Sequence, residues 1–183
     1  FIIDTYSSRI EADFARGRGE QLMHKFYEWW SSEAREVIAV EKSFSIDVNG
    51  DVLKGRFDRI ERFVRDSSEP EPEPEIRVID YKTSPSRPQE EIDADLQLSI
   101  YAMAIEEVYK QPCSELMFLF LSDEGVVECR TTRSKSQLED ARKQIQNIET
   151  DIDNKAFRPT PSAGVCKRCA YKGICDVAAV TRD

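Results

Sequence analysis

Asp80 and Lys82 stand two apart in the short run Ile76–Lys82 (IRVIDYK). In an extended chain alternate side chains share a face, so a carboxylate and an ammonium point one way and Tyr81 points the other. Asp58, followed by Arg59, lies in the preceding extended stretch. If the two strands are neighbours, Asp58 and Asp80 can share a hard cation such as Mg2+ or Mn2+, which prefers oxygen ligands. A cation of that kind polarises a phosphoryl oxygen and acidifies bound water. Lys82 would hold or deprotonate that water and offset the charge that builds on the phosphate. The chemistry such a set could support is metal-assisted phosphodiester hydrolysis. Charges at alternating strand positions usually mark only a solvated face. Asp80, however, sits within the apolar Val78-Ile79-Asp80-Tyr81, where a charge is costly without a task.

Other residues have chemical potential of their own. Gln97 and Tyr101 are four apart and share one side of a helix. A surface glutamine and a core tyrosine would satisfy the same spacing. His24 is the single histidine and sits among aromatics, as a packed or surface residue also would. Cys166-x2-Cys169-x5-Cys175 crowd one short segment. Thiolates so spaced are poor disulfide partners and good soft-metal ligands, with zinc or a redox pair both open. Cys113 and Cys129 fall on or beside strands and read as small buried hydrophobes. Lys167, Arg168 and Lys172 interleave the cysteines beside Tyr171, as phosphate contacts or as a solvated loop.

The elements that position these residues follow from periodicity. Apolar Leu22, Met23, Phe26, Trp29 and Trp30 predict a helix from residue 9 to about 35. Residues 37–48 alternate as a strand, Asn49-Gly50 is a hairpin turn, and the chain returns over 52–64. Residues 66–75 form an acidic, proline-rich loop, extended and solvated. The strand 76–82 stops at Thr83-Ser84-Pro85, and residues 91–109 read as one helix ended by Pro112. The apolar run 115–121 predicts a strand buried on both faces, paired through Asp123-Glu124-Gly125 with 126–132. Ser134 or Ser136 caps a helix to about Asn154, and 157–183 is a Cys-rich tail. The order predicts a single α/β domain over 1–183, an α+β mixed central sheet flanked by helices.

A length of 183 residues suffices for one core. The net charge of −9 argues against a free-standing DNA-coating protein, which would carry a basic face. It is compatible with an enzyme that binds divalent metal and receives its strand from a partner. No apolar run approaches the roughly 18 residues of a membrane span, and no signal peptide is visible, so no membrane partner is expected. Five cysteines, an odd number of which three cluster at one end, fit a cytoplasmic setting. A chain beginning at Phe1 is expected to be a piece of a longer product.

Three motifs in order carry a resemblance. Gly55-Arg56-Phe57-Asp58-Arg59-Ile60-Glu61, Val78-Ile79-Asp80-Tyr81-Lys82-Thr83-Ser84 and Gln97-Leu98-Ser99-Ile100-Tyr101 resemble the RecB-like branch of the PD-(D/E)xK nucleases, from about Gly19 to Cys175. The resemblance implies a restriction-endonuclease-like core and a deoxyribonuclease. It implies that His24, in a G-x4-H arrangement with Gly19, is a metal ligand with Asp58, Asp80 and the Tyr81 carbonyl. It implies that Gln97 and Tyr101 line the site. The cysteine trio resembles that of the iron–sulfur members, where a further upstream cysteine completes a [4Fe–4S] cluster. No cysteine precedes His24 here, so the fourth ligand is not in its expected place and zinc is the alternative. The motif forms look most like the nuclease domain at the C-terminus of UvrD/Rep-type helicases in recombination and repair. A helicase in cis or as a partner subunit would then deliver DNA. A stand-alone CRISPR-associated exonuclease of the same branch is the alternative. A non-catalytic iron–sulfur or zinc DNA-binding module is a third reading, disfavoured by the intact Asp58, Asp80 and Lys82.

Overall fold

A computed structural model describes residues 6–65 and 73–180. Residues 66–72 of the acidic loop lie outside this range. Two compact units are recognised, residues 1–143 and 144–183. The first holds a five-stranded sheet in the order β1-β2-β3-β4-β5. The strands are β1 (Glu36–Val48), β2 (Asp51–Phe63), β3 (Glu75–Lys82), β4 (Cys113–Ser122) and β5 (Gly125–Thr131). Only β3 and β4 run parallel, so the sheet is mixed. The fold is the α/β, mixed-sheet architecture expected of a restriction-endonuclease-like core.

The β1–β2 hairpin turns at Asn49-Gly50, both at positive φ (58° and 98°). β4 is buried from Glu115 to Ser122 because helices cover both sides of the sheet. On one side α3 (Leu96–Tyr109) buries Leu98, Tyr101, Ala102, Met103 and Ile105. On the other, Phe26 and Trp29 of α1 (Arg9–Ser31) pack against Ile79, Met117, Leu119 and Leu121. Asp80 and Ile79 thus serve opposite faces, as strand alternation requires.

Several expectations need correction. α1 stops at Ser31 rather than near residue 35, since the Arg35 guanidinium turns in over the Trp29 ring at 3.8 Å. The acidic loop does not extend to residue 75. Glu75 opens β3 and its carboxylate pairs with Arg65 at 3.1 Å, which holds its pKa below the usual carboxylate range. The helix expected over 91–109 is two helices, α2 (Gln89–Asp93) and α3, broken at Ala94-Asp95. Asp95 caps α3, its carboxylate accepting from the Gln97 and Leu98 amides. Arg133 fixes the break by donating to the Ile92 and Asp95 carbonyls, both at 3.0 Å.

α4 (Lys135–Asp153) begins at Ser134 rather than Ser136, through a reciprocal cap with Gln137. In the second unit the tail contains a short helix, α5 (Ala163–Arg168), capped by the Ser162 hydroxyl. Among the described residues no helix is long and apolar enough to cross a membrane.

Candidate active site

β2 and β3 are antiparallel neighbours with Arg59 opposite Ile79, which places Asp58 beside the end of β3. The Asp58 Oδ2 accepts from the Tyr81 amide at 2.9 Å, so Asp58 grips the backbone between Asp80 and Lys82. α3 reaches the same place from above the sheet. Gln97 Nε2 donates to Asp80 Oδ1 at 2.8 Å, and Gln97 Oε1 accepts from Lys82 Nζ at 2.9 Å. The Tyr101 hydroxyl lies 3.1 Å from Asp80 Oδ1, 3.0 Å from the Arg56 carbonyl and 3.0 Å from Gln97 Nε2. Asp58, Asp80, Lys82, Gln97 and Tyr101 therefore form one connected polar cluster.

Burial makes the cluster costly. Asp80 is 3% exposed. Burial pushes its pKa up, with the Asp58 charge adding to the rise. Lys82 and the Tyr101 hydroxyl oppose it. Burial likewise raises the Tyr101 phenol, with the Asp80 charge second. Asp80 Oδ2 is inaccessible to solvent and is paired with Lys82 Nζ at 2.5 Å. A buried carboxylate next to a second carboxylate is the donor chemistry of a hard divalent cation. Asp58, Asp80 and the Tyr81 carbonyl are the atoms that would hold it.

Tyr81 itself faces the α1 side. Its ring meets Phe26 edge-on at 5.6 Å, and its hydroxyl accepts from Arg59 Nη1 at 3.0 Å. Arg59 stacks on Trp30 at 3.7 Å and pairs with Glu61 at 2.6 Å. Arg35 and Arg77 also lie within 4 Å of Glu61, and Arg77 pairs with Glu115 at 2.5 Å. This buried ionic layer anchors the back of the Asp-Tyr-Lys segment. Alternating charges on β2 would ordinarily read as a solvated face. Only the companion arginines at 35 and 77, distant in sequence, mark them as internal. Arg87, also unremarked in the sequence, lies over the Phe118 ring near Lys82.

His24 is exposed on α1. Among the described residues no three of His, Cys, Asp and Glu are gathered into a metal-holding group, so His24 does not join Asp58 and Asp80 here. Nor do Cys166, Cys169 and Cys175 converge. Cys166 is buried in α5 and its sulfur accepts from the Ala179 amide, while the other two are half-buried. Cys129 is buried on β5 and Cys113 half-buried at the start of β4, as small apolar residues there would be.

The mixed sheet and its acidic, lysine-bearing third strand define a nuclease-type core. A profile of the PD-(D/E)XK nuclease superfamily matches residues 4–176, and the chain belongs to that superfamily of nucleases. A solved protein, SSO0001, matches with 22% identity over 78% of this chain, with a TM-score of 0.50. At that identity the likeness concerns the fold. The match spans 61% of the SSO0001 chain. No curated protein matches.

Proposed function

We propose that the chain is a Mg2+- or Mn2+-dependent deoxyribonuclease of the RecB-like branch, an exonuclease acting on DNA ends or single strands. Asp58, Asp80 and the Tyr81 carbonyl would hold the metal, and His24, exposed and apart from them in the metal-free chain, is the further ligand that the family resemblance implies. The observation that carries the reading is the convergence of Asp58, Lys82, Gln97 and Tyr101 on the buried Asp80 carboxylate and its strand. A divalent ion there supplies Lewis acidity toward a phosphodiester.

The protein's own groups have distinct tasks. Lys82, half-buried and held by Gln97 and Asp80, presents its ammonium to an incoming phosphate and to the attacking water. Gln97 sets the direction of that ammonium. Tyr101 donates to Asp80 Oδ1 and so holds the carboxylate in one orientation.

The superfamily match runs across both compact units, which supports one nuclease domain over 1–183 with 157–183 as its Cys-rich tail. In this reading the domain is cytoplasmic and works within a helicase–nuclease for recombination and repair, where a motor supplies DNA to an acidic protein of net charge −9. Cys166, Cys169 and Cys175 remain the ligands offered to a [4Fe–4S] cluster, or to zinc, with the fourth ligand contributed from elsewhere. Visible absorption and metal analysis of anaerobically purified protein decide between them. The nuclease reading is tested by degradation of labelled single-stranded DNA with Mg2+ or Mn2+, comparing wild type, Asp80→Ala and Lys82→Ala. Loss of activity in both variants supports it; equal residual activity in all three overturns it.

A further inference from the structure

The turn after β3 returns a second cation to the site. Phe118 of β4 is the register partner of Asp80. Its ring carries the Lys82 ammonium at 4.7 Å and the Arg87 guanidinium at 5.1 Å from its centroid. Arg87 Nη2 donates to Asp95 Oδ2 at 3.0 Å. The other Asp95 oxygen caps α3, the helix that bears Gln97 and Tyr101. The guanidinium is thus tied by one nitrogen to the frame of the site. Its side chain is still 37% exposed, against 29% for Lys82. Among the described residues Nε and Nη1 of Arg87 have no acceptor, so part of the planar fork remains available.

We propose that Arg87 is a substrate-positioning residue that takes a backbone phosphate of a nucleic-acid strand, next to the phosphodiester facing Lys82. The inference rests on the nuclease reading and adds to it a residue outside every motif that carried the resemblance. A guanidinium offers paired N–H donors to phosphate oxygens and cannot lose its charge. Asp95 pairs with it and Asp80 pairs with Lys82, in a chain of net charge −9. A strand therefore needs local cations to enter, and Lys82 and Arg87 share one ring to supply them. The competing role is structural, a half-buried ion pair that steadies Asp95.

The test measures binding of a fluorescein-labelled single-stranded oligonucleotide to the full chain across a salt series, alongside steady-state cleavage. Arg87→Gln is expected to weaken binding about three- to tenfold and to reduce the slope of log affinity against log salt by about 0.7, the value of one phosphate contact on a single strand. KM should rise while kcat stays near wild type, and Arg87→Lys should recover most of the slope. Asp95→Asn keeps a capping side chain and frees the guanidinium, so binding should tighten or hold, which keeps the test alive should Arg87→Gln fold poorly. Unchanged affinity, slope and KM in Arg87→Gln would show that the residue serves Asp95 alone. No oligonucleotide binding or cleavage by the wild-type chain overturns this proposal together with the nuclease reading. Wild-type cleavage with an unaffected Arg87→Gln overturns this proposal only.

Discussion

Tyr101→Phe removes one oxygen from a buried position without changing the shape of the ring. The hydroxyl of wild type lies within 3.1 Å of Asp80, the Arg56 carbonyl and Gln97, in a residue 5% exposed. It has one proton, and the ionised Asp80 is its strongest acceptor. A hydrogen bond to a charged group contributes about 1.5–3 kcal/mol, and the variant also leaves one Gln97 N–H less satisfied. The expected loss at neutral pH is therefore about 2–4 kcal/mol.

The pH dependence has a definite sign. Burial already raises Asp80 above the ordinary carboxylate range, and the Tyr101 bond is one of the contacts that restrain the rise. Without it the folded-state pKa rises further. The deficit of the variant is thus fully present above the folded pKa of Asp80 and shrinks as pH falls through it, since a protonated carboxyl gains less from the hydroxyl. Urea unfolding followed by the fluorescence of Trp29 and Trp30 gives both numbers, with the m-value as a check that the unfolded state is unchanged. A variant as stable as wild type at neutral pH, or a deficit that grows in acid, would refute the assignment of Tyr101 as the support of Asp80.

Further outcomes follow from the same geometry. Asp80→Asn should stabilise the metal-free protein at neutral pH while abolishing cleavage, because burial of the charge dominates the raised pKa. The gain should vanish as pH falls through the folded pKa, and melting in EDTA reads it. Arg133 donates to Ser99, Thr131, Thr132, Ile92 and Asp95, so Arg133→Met should cost on the order of 3–5 kcal/mol in chemical denaturation, with Arg133→Lys recovering only part. Gly55→Ala sets a methyl against the Phe44 ring and should cost roughly 1–3 kcal/mol, largely relieved in the double variant with Phe44→Leu.

The site was more legible in the sequence than its supports. Asp80 and Lys82 could be placed on one face because strand alternation is strict, whereas the Asn49-Gly50 turn specifies only the β1–β2 hairpin and the β2–β3 pairing that brings Asp58 alongside is set by tertiary structure. Gln97 and Tyr101 fell on one helical face by spacing alone. The break at Ala94-Asp95 was not legible, since local periodicity continues through it and the arginine that clamps it comes from residue 133. Nor was the burial of Arg59 and Glu61, whose alternation with apolar neighbours matches a solvated strand. Their partners Arg35, Arg77 and Trp30 are brought by tertiary pairing. Arg87 was hidden for the same reason, because its relation to Lys82 exists only through Phe118 on a different strand.

The central claim is that Asp58 and Asp80 hold a divalent ion while Lys82 acts on the phosphate. Mn2+ binding by electron paramagnetic resonance, paired with hydrolysis of a labelled single strand, separates the two roles in wild type, Asp58→Asn, Asp80→Asn and Lys82→Met. The expected result is that both asparagine variants lose Mn2+ affinity and cleavage together, while Lys82→Met keeps the ion and loses cleavage. Undiminished Mn2+ binding in Asp58→Asn and Asp80→Asn, or full cleavage by Lys82→Met, would contradict the account.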